Sequence, residues 1–121
     1  MVSDTTRLAL NPEFQRGVEL FNREEFYECH EVLEDVWKPT QGVDRLFLQA
    51  LIHFAVGFYH HRQGNPTGAE LQLWKGVRKL AGYLPVFHGI DTARLYREGF
   101  SALTAILAGR TVESFPRFWK V

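Results

Sequence analysis

One cysteine and one methionine occur in 121 residues, and neither sign of charge is in excess, with fourteen Lys and Arg against fourteen Asp and Glu. A lone thiol, Cys29, cannot close an internal disulfide, so the chain is expected to fold without covalent cross-links. Balanced charge and the lack of a dense basic run leave no field to gather a polyanion. Nucleic acid is therefore not an expected partner. No apolar run approaches the roughly 20 residues of a membrane span. Even the greasiest stretch is interrupted by Gln49 and His53. The opening MVSDTTRLAL lacks the basic start and apolar run of a secretory signal, so no membrane association and a cytoplasmic location are expected.

What is present is a core. With 45% hydrophobic and 14% aromatic residues, the chain carries enough apolar surface for one domain, expected over 1–121. The periodicity is helical throughout and predicts an all-α, five-helix domain of antiparallel hairpins. The first helix, about 11–21, opens at Asn11-Pro12-Glu13, where Asn caps and Pro suits the first turn. The second, 24–38, ends before Pro39. The third, 44–63, is apolar almost all the way round and is expected at the centre. Gly64-Asn65-Pro66 stops it and starts the fourth, 66–84, in a tight turn. Leu73, Val77 and Leu80 form the fourth helix's buried face, with Trp74 beside them. Asp91 caps the fifth, 92–108, whose Leu95, Tyr96, Phe100, Leu103 and Leu107 are expected to face the core. His88, in the loop between them, reads as solvated. The tail 113–121 carries Phe115, Phe118 and Trp119, which are costly to expose, and is expected to dock on the body or on a partner. Two successive helix-turn-helix units, offset by about forty residues, are similar to the tetratricopeptide plan.

The oddest stretch is Phe26 to Trp37, FYECHEVLEDVW. On a helix, Phe26, Cys29, Leu33 and Trp37 share one narrow face and His30 falls within it, so the imidazole is expected to point inward. Glu34 follows at i+4 and Glu31 lies at the stripe's edge, while Glu28 and Asp35 face solvent. In the third helix Gln49, His53 and His60 fall within about 40° of one another and form a polar stripe. Gly57 beside it would admit a neighbouring backbone. His61 points elsewhere.

The blocks FNREEFYECHEVLEDVWK and FLQALIHFAVGFYHHRQGNPTGAELQLWKGVRKL resemble the two signature regions of the domain of unknown function 309 family, over roughly Phe14 to Leu84. The resemblance implies an all-α fold, and some descriptions of such proteins name predicted metal-dependent hydrolases. Its matching positions are Glu28, His30, Glu31, Glu34 and Trp37, then Gln49, His60, Gly64, Asn65 and Ala69. His53 stands where relatives often carry another polar residue.

Three functional readings follow. His30-Glu31-x-x-Glu34 has the spacing of the zinc-peptidase H-E-x-x-H motif with Glu for the second His. In this reading His30 and Glu34 bind a divalent metal such as zinc, His53 or His60 completes the set, and Glu31 activates a water. Alternatively, His30, Glu34, Gln49 and His60 form a buried hydrogen-bond network that fixes helix register and needs no ligand. The third is a non-catalytic interaction module whose stacked hairpins offer a groove to a peptide or to a second copy of the chain. Trp37, Phe47, Phe54 and Trp74 read as core, and Cys29 as an inert core thiol.

Overall fold

The computed structural model describes residues 8–121 and is all-α apart from one short hairpin. Five helices of at least eleven residues follow in order: α1 Pro12–Asn22, α2 Phe26–Trp37, α3 Val43–Arg62, α4 Pro66–Leu80 and α5 Thr92–Leu107. A 3-10 turn, Ala81–Tyr83, precedes strands β1 Val86–Phe87 and β2 Ile90–Asp91. The starts of α1, α4 and α5 are each set by a side-chain cap. Asn11 Oδ1 accepts from the backbone N–H of Glu13 and Phe14, Asn65 Oδ1 from Gly68, and Asp91 Oδ1 from Arg94.

Helix α3 lies between α2 and α4 and packs on both. Its approach to α4 depends on two glycines. A Cβ on Gly57 would stand 2.8 Å from the Leu73 side chain and 3.3 Å from its backbone nitrogen. One on Gly76 would stand 3.2 Å from the Ala50 carbonyl oxygen. The core beneath is aromatic: Phe14, Phe21, Phe47, Phe54, Phe58 and Phe118 are fully buried.

Three expectations about facing fail. Phe100 and Leu107 are 48% and 59% exposed, because α5 turns Leu95, Gly99, Ala102, Leu103 and Ile106 to the core instead. The reason is Gly99: a Cβ there would be 2.5 Å from the Phe54 ring, so the seat beside that ring admits only glycine. Trp74 is likewise 48% exposed rather than core. His88 is the third. It sits with Gly89 in the two-residue turn of the hairpin, both at positive φ, as a type I′ turn requires. That turn swings the imidazole inward against Phe14, Phe47 and Phe87, where it is buried.

The C-terminal segment lies on the body. Phe118 stacks on Phe21, and its backbone is held at both ends by the Asn22 amide, which accepts its N–H at 2.7 Å and donates to its carbonyl at 3.2 Å. Trp119 donates to Glu98, and its carbonyl accepts from Asp91 N–H, extending the hairpin by a bridge between Ile90 and Lys120.

Candidate functional site

Half-buried positions locate the site. On α3, apart from His61 at the helix end, they are Arg45, Gln49, His53, Val56, Tyr59 and His60, one stripe at three- and four-residue steps between the faces given to α2 and α4. On α2 the half-buried positions are His30, Glu34 and Trp37, and on α4 they are Gly68, Gln72 and Lys79. The three stripes make a groove with α3 as its floor, α2 as one wall and α4 as the other. Gln49, His53 and His60 therefore do share a face, and it is the floor.

On the α2 wall, His30 Nδ1 lies 3.0 Å from the Tyr27 carbonyl oxygen. A carbonyl only accepts, so Nδ1 carries a proton, and Nε2 is left toward Glu34 Oε1 at 3.5 Å. The ring is not sealed: its side chain is 21% exposed, and that of Glu34 44%. His30 and His60 do line one small apolar cleft of about 120 Å3 with Phe26, Tyr27, Val56 and Tyr59. His60 Nδ1 accepts a long hydrogen bond, 3.5 Å, from the Asn65 amide. Glu28 and Glu31 are exposed on α2. Trp37 stacks under the Arg45 guanidinium at 3.9 Å, and its indole N–H is buried without a partner among the described residues.

The α4 wall takes His53. Its Nδ1–H donates to Gln72 Oε1 at 2.7 Å, which leaves Nε2 as the acceptor for the Lys79 ammonium at 2.9 Å. Burial and the positive charges of Lys79 and Lys75 lower the His53 pKa, against the opposing pull of Gln72. Desolvation, then the charges of Lys75 and Arg78, lower that of Lys79 as well. His53 is thus a neutral acceptor that positions a lysine. Beyond it Leu46, Trp74, Lys75, Arg78, Lys79 and Tyr83 line an open cleft of about 590 Å3. This basic cleft escaped the sequence reading, although Lys75, Arg78 and Lys79 at three- and four-residue spacing beside Trp74 signalled it.

A divalent metal fits this arrangement only in part. His30 Nε2 and Glu34 Oε1 are placed as two neighbouring ligands would be, but among the described residues no three His, Cys, Asp or Glu side chains come together as a metal set. Catalytic zinc sites use three protein ligands. Three other groups lie away from the groove. His61 Nε2 accepts from Val112 N–H. Burial pushes the Cys29 thiol far up from its usual range, as suits an inert core residue. His88 Nε2–H donates to Asp44 Oδ1 at 2.7 Å, with the two side chains 0% and 10% exposed.

A family profile described as Domain of unknown function (DUF309) matches residues 14–71. That span holds most of α1, all of α2 and α3 and the start of α4, and so the acidic wall and floor of the groove. The chain is also 37% identical over 65 residues to a protein of Bacillus subtilis (strain 168) described as "Uncharacterized protein YpuF". The match takes in 52% of this chain and 37% of YpuF, so the chain spans little more than a third of that relative's length. No helix among the described residues is long and apolar enough to cross a membrane.

Proposed function

We propose that this chain, which over residues 14–71 belongs to the DUF309 family, is a non-catalytic helical interaction module that binds a peptide segment along the α3 floor. One observation carries the reading: the chemistry-bearing side chains are divided between two walls and tied to their own neighbours. His30 is held by Tyr27 and Glu34, His53 by Gln72 and Lys79, and Glu31 faces outward. A hydrolytic centre needs base, metal and substrate within one hydrogen-bond radius, whereas a peptide groove needs an open floor with apolar seats and polar rungs. Val56 and Tyr59 supply the seats and Gln49 the rung. The polar groups then serve to fix the walls, which is the structural role of such networks.

The test is to pan a displayed-peptide library on the purified protein and rank the enriched peptides by affinity for wild type and for Val56→Arg, which fills the floor. The module predicts peptides whose affinity falls at least about tenfold on Val56→Arg, and a metal content unchanged by His30→Ala. A stoichiometric metal lost on His30→Ala, or peptides that bind the blocked floor equally well, would overturn it.

A further inference from the structure

The neutral net charge hides a strong segregation. Residues 1–35 hold nine of the fourteen acids and three bases, whereas residues 36–121 hold eleven bases and five acids. The fold concentrates the contrast on the two groove walls. Helix α2 has four acids, Glu28, Glu31, Glu34 and Asp35, and no Lys or Arg. Helix α4 ends in Lys75, Arg78 and Lys79, with Glu70 as its one acid. Among the described residues no ion pair engages Glu28 or Glu31, and none engages the three bases of α4. Asp44, whose charge reaches Tyr83 at the cleft's edge, is committed to His88.

Each wall also carries exposed apolar surface of the kind that anchors interfaces. Tyr27 on α2 is 46% exposed; Trp74 and Leu71 on α4 are 48% and 51% exposed, and Leu46 beside them is 44% exposed. An acidic face with an exposed tyrosine and a basic face with an exposed tryptophan are complementary, and both belong to this chain.

We propose that the occupant of the basic α4 wall is the acidic α2 wall of a second copy of this chain. The proposal rests on the interaction-module reading and names a partner for it. Both walls rise on the same side of α3. A copy turned about a twofold axis parallel to the groove, and laid groove to groove, sets α2 on α4 of its partner twice over. The contact is then closed and uses each patch once, so the buried area is double that of a single wall. Glu28 and Glu31 meet Lys75 and Arg78 at the rim, while Tyr27, Leu71 and Trp74 supply the apolar centre.

Sedimentation equilibrium of the full chain, with charge-exchanged variants, decides it. Wild type is expected to dimerise at low salt, with a dissociation constant that rises about tenfold or more when the salt is raised to screen exposed charges. Lys75→Glu with Arg78→Glu, and separately Glu28→Lys with Glu31→Lys, should each be monomeric. An equimolar mixture of the two should dimerise again, because each wall then meets its opposite. All four positions are exposed, and Trp74→Ala gives a charge-neutral check that should weaken the dimer at least about tenfold. A wild type that stays monomeric at every concentration, variants that associate as well as it does, or a mixture that fails to recombine would overturn the proposal. A monomer that still binds peptides in a Val56-dependent way sinks self-association alone, whereas loss of both sinks the module reading with it.

Discussion

Among the described residues two imidazole–carboxylate pairs form, and they are opposites. His30 and Glu34 are one helical turn apart on α2, 3.5 Å from each other and open to water. His88 and Asp44 are 44 residues apart, 2.7 Å from each other and sealed among Phe14, Phe47 and Phe87. The pair that looks like a motif is a surface contact; the pair with no motif lies in the core. Local spacing ensures that two side chains can meet, but burial is decided by what the rest of the chain lays over them. A hairpin turn closes over Asp44, whereas Glu34 is left 44% exposed.

The sharpest way to break that contrast is Asp44→Ala. Among the described residues it removes the one partner of a buried imidazole whose other nitrogen is unpaired. Leaving its buried Nε2–H stranded costs about 1 to 3 kcal/mol. Urea denaturation should show that loss, and a change below about 1 kcal/mol would mean that His88 is not sealed.

The same contrast explains what could be read from the sequence. The five helices and the caps at Asn11 and Asp91 were legible because cap chemistry and apolar period act within a few residues. The polar stripe of α3 was legible for the same reason, and so was the role of Gly57, because both are properties of one helix. His88 was not: a histidine before glycine signals a turn, but which way the ring swings depends on Phe14 and Phe47, some 40 to 75 residues away in the chain. Phe100 shows that apolar character alone does not set inward direction, since it is the small Gly99 that faces the Phe54 ring. His53 and His60 share a stripe, yet the groove sends one to α4 and lets the other look toward α2. The proposed metal set was therefore spread over more space than its residue numbers implied.

His53 offers a test intermediate in size. A base whose pKa is lower in the folded than in the unfolded chain costs nothing while both are neutral. The cost appears as pH falls below the ordinary imidazole value of 6.5, where the unfolded chain takes up the proton first. Lys79 and Lys75 face the ring from α4, and no carboxylate of the described residues pairs with them, so the direction is not offset locally. Between about pH 8 and pH 5 the melting temperature of wild type should fall by a few degrees more than that of His53→Gln. Parallel curves would remove His53 from the balance.

The smallest effect belongs to the residue that first drew attention. Were His30 sealed as His88 is, His30→Ala would cost several kcal/mol. The His30 ring instead keeps a water-facing edge, Glu34 loses a long and screened contact, and the Tyr27 carbonyl can turn to solvent. Exposed pairs of this kind are worth about 0 to 1 kcal/mol. His30→Ala should therefore shift the urea midpoint by less than half of the Asp44→Ala shift, and Glu34→Gln by no more than His30→Ala. Diethylpyrocarbonate should modify His30 in the folded protein while His88 stays protected. A loss on His30→Ala as large as that on Asp44→Ala would erase the distinction between the two pairs and return His30 to the core.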